Sequence, residues 1–270
     1  MMQKNYLLFD IGATNTRLAV SKTGRKIDAT VIFPTPKKFT DGMKQIRETA
    51  KKLCGGKIAA SAGGIAGALS KDKTKLYNSP NLPDWNGKPL KKTLERLLNT
   101  SVSVENDAAL AGLGEAVLGA GQGQEIVMYM TVSTGVNGVR VVDGKIDKTA
   151  YGFEIGRQIL GGKILEMGIG GNEMRKKFGK LPEEIKNPKV WKEVSRSLAI
   201  GIYNSILHWS PHVVVLGGGL MKSISIADLR KDLKKYLDFY PAVPQIKKAI
   251  LGDLGGLYGA LITLRRSARL

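Results

Sequence analysis

Near the beginning of the chain, two short runs of apolar residues flank a turn of small and polar residues. The runs lie at residues 7–9 and 18–20, and the turn between them carries Gly12. Apolar runs on either side of a glycine-bearing turn are typical of a β-hairpin. The pattern predicts two antiparallel strands, with Asp10 at the end of the first.

The residues that follow predict a mixed sheet with helices. Residues 26–33 have the pattern of a third strand, which prolines end, and residues 58–65 form a fourth strand of small residues that runs into Gly67. Between them, residues 39–53 place apolar side chains three or four positions apart, which is typical of an amphipathic helix. Strands combined with helices in this order exclude an all-helical or an all-β protein.

A cluster of polar side chains follows the next predicted strand. Residues 78–87 contain too much proline and asparagine for a helix or a central strand, and they predict an ordered loop. Residues 90–98 predict a helix, residues 102–104 a short strand and residues 108–118 a further helix. Residues 105–107 lie between that strand and that helix, the usual position of ligand-binding side chains in α/β folds.

A glycine-rich segment at residues 119–123 separates two halves of similar pattern. Beyond it, strands are predicted at residues 126–131 and 139–142, on either side of a small polar turn at residues 133–138. This repeats the opening hairpin. We therefore expect two related domains.

The rest of the second half is mainly helical. Its predicted elements are helices at residues 157–167, 191–208 and 226–237 and one buried strand at residues 212–216. We place the domain boundary in the glycine-rich segment. The first domain then comprises residues 1–118, completed by a C-terminal helix at residues 257–270, and the second comprises residues 119–256.

The composition describes a globular chain without membrane spans. Its 270 residues are 43% hydrophobic and include 33 glycines. No apolar run reaches the roughly 18 residues of a membrane span, and no signal-peptide pattern occurs at the beginning, so we expect a cytoplasmic protein without membrane contact. The single cysteine, Cys54, leaves no intramolecular disulfide and no multi-cysteine metal site.

The chain is strongly basic, with 42 Lys and Arg against 23 Asp and Glu and a formal net charge of +19. Such a charge attracts polyanions, including nucleotides and nucleic acid. The lysines fall mostly in polar segments of predicted helices, without interleaved aromatic residues or a nucleic-acid-binding motif. We therefore favour a solvated basic surface over a nucleic-acid partner.

The turn of the opening hairpin suits a phosphate group. Backbone N–H groups in a tight turn point toward an anion, Gly12 allows close approach, and Thr14 and Asn15 add side-chain donors. Asp10 would repel a bare phosphate, so its position fits a Mg²⁺ ion between them, because Mg²⁺ is usually bound by one or two carboxylates and phosphate oxygens. A hairpin with a capping aspartate is the alternative interpretation.

Five segments together resemble the ROK family of sugar kinases, in the superfamily of actin, hexokinase and the Hsp70 ATPase. The matching segments are residues 10–14, 79–85, 104–109, 133–135, and 216–219 together with 256–260. The resemblance implies an α/β protein of two related domains with ribonuclease H-like (actin-type) architecture and a cleft between them. It also implies a magnesium-dependent homodimer that uses ATP to phosphorylate a hydroxyl group of a hexose or an N-acetylhexosamine.

The resemblance assigns roles to polar residues of the first domain. Asp107 would be the general base that takes the proton from the attacking sugar hydroxyl, and Asn106 would bind a neighbouring hydroxyl. Gly67, Ser79 and Asn81 belong to the predicted sugar-binding set. The alternative role for Asp107 is a helix N-cap, a common position of aspartate.

The phosphate and nucleotide contacts are assigned in the same way. They are Asp10, Gly12, Thr14 and Asn15 in the first phosphate motif, Ser133, Thr134 and Gly135 in the second, and Gly217, Gly218 and Gly219 at the adenosine end. In the last of these segments, only glycine would let a flat ring lie against the backbone. The implied cofactors are ATP and Mg²⁺, with Asp10 facing the magnesium through the phosphates.

One sugar-binding motif departs from the family pattern. Residues 151–157 resemble the family's Gly-Glu-Ile-Gly-His motif, with Glu154 retained and Arg157 in place of a histidine that in many members also ligates zinc. The cysteine cluster of that zinc site is absent, so we expect no zinc. Glu166 aligns with a carboxylate that binds the sugar in relatives. Arg157 either pairs with Glu154 or Glu166 beside a neutral sugar, which we favour, or meets an acidic group of the substrate.

Three rival interpretations lead to different functions. A ROK-type repressor would carry a helix-turn-helix domain before the first phosphate motif, and nine residues precede Asp10, so we do not expect one. A non-catalytic relative is favoured by Arg157 and by Asn137 and Val139, which replace usual glycines, but disfavoured by the retained Asp10 and Asp107. A kinase acting on a non-sugar acid or alcohol is the third.

Overall fold

The computed structural model describes residues 5–267 and has a mixed α/β architecture with two five-stranded sheets. The strands are β1 (Asn5–Ile11), β2 (Asn15–Ser21), β3 (Ala29–Pro34), β4 (Ile58–Ile65), β5 (Ala68–Leu69), β6 (Leu76–Asn78), β7 (Val102–Asn106), β8 (Ile126–Val132), β9 (Val136–Val142), β10 (Lys145–Ile146), β11 (Ile159–Leu160), β12 (Lys163–Ile164), β13 (Val213–Gly217) and β14 (Gln245–Lys248). The helices are α1 (Phe39–Cys54), α2 (Leu90–Leu98), α3 (Asp107–Leu118), α4 (Leu165–Ile169), α5 (Gly171–Phe178), α6 (Pro188–Trp209), α7 (Ile226–Tyr236) and α8 (Gly255–Ser267). The end of the predicted C-terminal helix, at residues 268–270, lies outside the described residues.

The described chain divides into two compact units. The first contains residues 5–114, 148–152 and 253–267, and the second contains residues 115–147 and 153–252. The division falls inside helix α3, between Gly114 and Glu115. The domain limits predicted from the sequence, with a boundary in the glycine-rich segment, stay a prediction.

The sheet of the first unit has the strand order β3-β2-β1-β4-β7. Strand β2 is antiparallel to both of its neighbours, whereas β1, β4 and β7 run parallel to one another. The carboxyl ends of the three parallel strands therefore lie at one edge of the sheet. Asp10 is in register with Gly64 of β4, and Gly64 is in register with Glu105 of β7, so the acidic ends of β1 and β7 share that edge.

Helices α1 and α2 contribute to the hydrophobic core of the first unit. Met43, Ile46 and Ala50 of α1 are buried, as the spacing of apolar residues predicted. The predicted loop at residues 78–87 is anchored by Trp85, which is only 1% exposed and donates its indole N–H to the carbonyl of Pro36 over 3.1 Å. Burial of a large aromatic side chain with its polar atom satisfied favours a fixed loop conformation.

The sheet of the second unit repeats the topology of the first. Its order is β10-β9-β8-β13-β14, with antiparallel pairing at the β10 side and parallel pairing from β8 to β14. Buried residues of α6 and α7 join those of β8 and β13 in one hydrophobic core. The repeated hairpin pattern in the sequence thus corresponds to two related folds. Between residues 5 and 267, no helix combines the length and the apolar character needed to cross a bilayer.

The helix predicted at residues 157–167 is wrong. The chain forms a short 3-10 turn at Ile155–Arg157, then the hairpin β11–β12, and α4 begins only at Leu165. The hairpin turn consists of Gly161 and Gly162, whose φ angles of 54° and 77° lie in the left-handed region and cannot continue a right-handed helix. The apolar spacing across this segment arises from a hairpin and a short helix in succession.

Other elements begin earlier than the apolar pattern predicted. Helix α6 begins at Pro188, where Asn187 caps it by accepting the N–H of Lys189 over 3.0 Å, and not at Trp191. A proline in the first turn costs no hydrogen bond, because the first N–H groups of a helix have no intrahelical partner. Strand β9 likewise begins at Val136, before the predicted start at residue 139.

Candidate active site

Asp10 and Asp107 lie at the carboxyl edge of the first sheet, with two glycines beside them. A Cβ atom built on Gly64 would lie 2.8 Å from the Cα of Asp107, and one built on Gly256 would lie 3.3 Å from the carboxyl carbon of Asp10. The lack of side chains at these two positions leaves room for the carboxyl groups. The structure thus brings the predicted site residues Asp10 and Asp107 close enough to interact electrostatically.

The surroundings of Asp10 are rich in negative charge. Burial and the nearby Asp107 raise the pKa of Asp10 to about 7, with Asp253 adding to the effect and Arg17 opposing it. The guanidinium of Arg17 lies 3.8 Å from the Asp10 carboxylate and 3.0 Å from that of Asp253. Three carboxyl groups with one cation suit a further positive ion. Asp10 therefore fits a Mg²⁺ ion shared with phosphate oxygens.

The first phosphate turn is closed by hydrogen bonds within the backbone and to Thr35. The N–H of Gly12 donates to the carbonyl of Asn15 over 3.0 Å, and a Cβ at Gly12 would lie 2.9 Å from that oxygen. The N–H of Thr35 donates to Thr14 O, and its hydroxyl donates to Gly12 O. Sequence reasoning missed Thr35, because its contact depends on the register of β2 with β3.

Asn106, and not Asp107, caps helix α3. The carboxamide oxygen of Asn106 accepts the N–H of Ala109 over 3.1 Å, three residues on, and its NH₂ group donates to the carbonyl of Gly67 over 3.1 Å. The Asp107 carboxylate instead accepts the adjacent N–H of Ala108 over 2.8 Å and the N–H of its own backbone. Burial raises the pKa of Asp107 to about 6, although these backbone hydrogen bonds oppose the shift. A carboxyl group with such a pKa suits general-base catalysis near neutral pH.

The loop that follows β6 brings further predicted sugar-binding residues close to Asn106. Gly67 has a φ angle of 125°, and a Cβ there would lie 2.7 Å from the Cβ of Ser79. Ser79 is 2% exposed and its N–H donates to the side chain of Asn86 over 2.8 Å. Asn81 is half-buried two residues further along this loop. Gly67, Ser79 and Asn106 therefore form one group in the first unit.

The second phosphate turn, at residues 133–135, lies against Glu166 in the second unit. The turn connects β8 to β9, and the N–H of Val136 at its end donates to the Glu166 carboxylate over 2.8 Å. A Cβ at Gly135 would lie 2.6 Å from the same carboxylate oxygen. The structure thus brings a predicted sugar-binding residue together with the predicted phosphate turn, which sequence reasoning did not foresee.

Glu154 and Arg157 lie on a segment that packs against the beginning of β9. A Cβ at Gly156 would lie 1.9 Å from the carbonyl oxygen of Val136, so only glycine fits there. The side chains of Glu154 and Arg157 are both exposed. Among the salt bridges of residues 5–267, none joins Arg157 to Glu154 or Glu166, so the favoured pairing is not present in this structure.

Gln158 fixes the same segment to helix α6, a role that sequence reasoning missed. Its NH₂ group donates to the carbonyls of Ile155 and Gly201 over 2.9 and 3.2 Å, and its oxygen accepts from Asn204 over 2.9 Å. A partly buried amide with three hydrogen bonds orients the backbone on both sides of it. No periodicity in the sequence indicates such a contact.

The three glycines at residues 217–219, at the end of β13, differ in their surroundings. A Cβ at Gly217 would lie 2.4 Å from the hydroxyl of Tyr129, and Gly218 has a φ angle of 93° and approaches the carbonyl of Val132. Gly219 has no neighbour within 4 Å of a Cβ position. Packing against β8 therefore explains the first two glycines without a ligand, and Gly219 is the one that faces open space.

The described residues contain no cluster of three or more His, Cys, Asp or Glu side chains arranged to hold a metal ion. The expectation of a zinc-free protein stays a prediction. A single carboxylate beside phosphate-binding turns is the common protein contribution to a Mg²⁺ site, since Mg²⁺ retains water and phosphate ligands.

The chain is similar to known sugar kinases over most of its length. The sequence model described as the ROK family matches residues 6–267. The N-acetyl-D-glucosamine kinase of Vibrio atlanticus is 30% identical, with 94% of this chain and 98% of that protein covered. The glucokinase of Streptomyces coelicolor is 26% identical, with 93% and 94% covered.

A solved structure has the same fold. The crystal structure of the ROK hexokinase from Thermus thermophilus matches with a TM-score of 0.83 and 27% identity, covering 98% of this chain and 99% of that chain. The match confirms the predicted class of two α/β domains with actin-type architecture.

Proposed function

This chain belongs to the ROK family, and on that premise we propose that it phosphorylates a hydroxyl group of a hexose or an N-acetylhexosamine at the expense of ATP. The observation that carries the proposal is the pair of half-buried carboxyl groups with raised pKa values, Asp10 and Asp107, at the carboxyl edge of the first sheet. The names of the similar proteins, a glucokinase and an N-acetyl-D-glucosamine kinase, support the sugar class.

Asp107 acts as the general base. Its carboxylate accepts the proton of the attacking sugar hydroxyl, the oxygen forms a bond to the γ-phosphorus of ATP, and the bond to the β-phosphate oxygen breaks to release ADP. Because Asn106 caps helix α3, the Asp107 side chain is not needed for that task. Phosphoryl transfer requires mainly positioning and charge stabilisation, so one base and two phosphate-binding turns are sufficient protein machinery.

Asp10 would hold Mg²⁺ through the phosphates of ATP. When bound, the ion would neutralise negative charge on the phosphates during transfer. The raised pKa of Asp10 supports this assignment, because a second cation favours its ionised form. We also propose that the protein acts as a homodimer in the cytoplasm and binds no zinc.

The remaining assigned contacts follow the sequence motifs. Sugar hydroxyls are assigned to Gly67, Ser79, Asn81, Asn106, Glu154, Arg157 and Glu166. Phosphates and nucleotide are assigned to Gly12, Thr14, Asn15, Ser133, Thr134, Gly135, Gly217, Gly218 and Gly219. The open surroundings of Gly219 support its place at the nucleotide.

A second candidate function is a kinase for an acidic sugar. The exposed Arg157, which forms no ion pair among residues 5–267, favours it, because guanidinium matches a carboxylate or phosphate better than a hydroxyl. A coupled assay of ADP release over neutral hexoses, N-acetylhexosamines, sugar acids and sugar phosphates distinguishes the two.

The first candidate predicts turnover with neutral or N-acetylated sugars, retained in Arg157→His. Turnover with acidic sugars alone, selectively lost in Arg157→His, would replace it by the second. An absence of turnover with every sugar, while AMP-PNP and a sugar still bind, would favour a non-catalytic relative.

A further inference from the structure

The segment at residues 166–172, the brace segment, contacts the second phosphate turn through three hydrogen bonds. They are Val136 N–H to Glu166 Oε2 at 2.8 Å, Gly171 N–H to Ser133 O at 2.8 Å, and Asn172 N–H to Thr134 O at 3.0 Å. Ser133 and Thr134 of the turn, and Val136 directly after it, are thus each hydrogen-bonded to the brace segment. The position of the turn depends on these contacts.

Two glycines lie where the brace segment and the turn approach closely. A Cβ at Gly171 would lie 2.8 Å from the Ser133 carbonyl oxygen, and one at Gly135 would lie 2.6 Å from Glu166 Oε2. A side chain at Gly171 would force backbone to move, and one at Gly135 would displace the Glu166 carboxylate. The local sequence is therefore suited to the contact.

Glu166 contacts the turn with its side chain. The carboxylate is half-buried, and its Oε2 atom accepts the Val136 N–H. An ionised carboxylate has about four acceptor sites, so the same group can also accept a hydroxyl of a bound sugar. A hydrogen bond to a charged acceptor is stronger than one between neutral groups, so this contact contributes strongly to the position of the turn.

We propose that Glu166 is a positioning residue that couples sugar binding to phosphate binding. A sugar hydroxyl that donates to the carboxylate restricts its rotation, and the restricted carboxylate holds Val136 and the phosphate turn in place. The triphosphate then binds to a turn whose conformational freedom is already restricted, so less conformational entropy is lost on binding. By thermodynamic linkage, bound nucleotide raises the affinity for sugar by the same factor by which bound sugar raises the affinity for nucleotide. The inference rests on the proposed function and deepens it.

Calorimetric titration with magnesium and AMP-PNP, in the absence and presence of a saturating sugar, tests the coupling. In the wild type we expect the sugar to tighten AMP-PNP binding by a factor within the range of about 5 to 150. In Glu166→Ala we expect AMP-PNP binding without sugar to weaken about tenfold, adenosine binding to stay unchanged and the effect of sugar to disappear.

Two further variants separate this role from simpler ones. Glu166→Gln keeps an oxygen that accepts the Val136 N–H, so it should bind AMP-PNP almost as the wild type does, with a reduced effect of sugar. Glu173→Ala removes a charge nearby on α5, where Glu173 pairs with the exposed Lys176, and should leave every constant unchanged. Circular dichroism verifies that each variant is folded.

The outcomes distinguish this inference from the proposed function. If Glu166→Ala loses affinity for sugar but binds AMP-PNP as tightly as the wild type does, Glu166 is an ordinary sugar ligand and the inference is wrong. Equal AMP-PNP affinity of the wild type with and without sugar also contradicts it, while the kinase proposal stands. A wild type that binds no AMP-PNP contradicts both.

Discussion

Asp107 shows how a single hydrogen bond separates two roles of one residue type. From the sequence, an aspartate before a helix is either a cap or a catalytic group. The bond from Ala109 N–H to Asn106 gives the cap to the neighbouring residue. Asp10 and Asp107 could be predicted as site residues, because each lies at or just after the end of a predicted strand. The contact of Glu166 with the turn at residues 133–135, and the roles of Thr35 and Gln158, could not be predicted, because these contacts join segments whose pairing no local pattern encodes.

The expected pH dependence of turnover follows from the two half-buried carboxyl groups of Asp10 and Asp107. The pKa of Asp107 is raised to about 6 and that of Asp10 to about 7, so both groups take up protons as the pH falls through this range. A protonated Asp107 cannot accept the proton of the sugar hydroxyl. We therefore expect kcat/KM to be constant above about pH 8 and to fall tenfold or more per pH unit below about pH 6.

A pH series of initial rates at saturating magnesium measures this acidic limb. In Asp107→Asn, the residual rate should not show the fall at acidic pH that protonation of the base causes. A wild-type rate that stays constant down to pH 5 would exclude a carboxyl base with a raised pKa.

Helices and strands were predictable where one pattern extends over a whole element. The apolar spacing of α1 and α2 and the turn glycines of the β1–β2 and β8–β9 hairpins are such cases. The pattern failed at residues 157–167, where Gly161 and Gly162 form a hairpin turn. The glycine-rich connection after α3 is a compact turn as well. There the carboxylate of Glu115 accepts the N–H groups of Ala120, Ile250 and Leu251.

Helices α3 and α8 are expected to tolerate no added side chain where they cross. A Cβ at Gly259 of α8 would lie 1.9 Å from the carbonyl oxygen of Leu110, and one at Gly114 of α3 would lie 2.5 Å from that of Gly255. Gly259→Ala should therefore lower the free energy of unfolding by about 1–3 kcal/mol or more, because backbone must move.

Urea denaturation followed by circular dichroism measures this loss. Gly56→Ala is the matched control, because a Cβ there meets no atom within 4 Å, and its change should stay within about 0.5 kcal/mol. If the two variants have equal free energies of unfolding, the helices accommodate the added methyl group without loss of stability, and the expectation is wrong.

At the scale of the whole molecule, the two units repeat one topology, and each carries one of the two turns that we propose to bind phosphate. Each unit presents a polar hairpin turn at the carboxyl edge of its sheet, one at residues 12–15 and one at residues 133–135. A net charge of +19 favours association with anionic nucleotides in general and assigns no specific partner. The two turns are where we expect phosphate specificity.

The proposed requirement for Mg²⁺ is tested on the whole protein. With Asp10 as the single acidic contact to a phosphate-bound Mg²⁺, a chelator should abolish turnover and added Mg²⁺ should restore it. Because Cys54 lies in the predicted first domain and His208 and His212 are far from Glu154 in the sequence, elemental analysis of chelator-washed protein should find no zinc. Stoichiometric zinc in the washed protein would contradict this expectation.

The formation of sugar phosphate from ATP by the wild type and by Asp107→Asn, followed by phosphorus NMR with a sugar that supports turnover, tests the central claim most directly. Asparagine keeps the size and the hydrogen bonding of the side chain but cannot take a proton, so we expect transfer to slow by about 10² to 10⁴. The dissociation constants of sugar and AMP-PNP should remain close to those of the wild type. Transfer at a near wild-type rate in Asp107→Asn would contradict the assignment of the base.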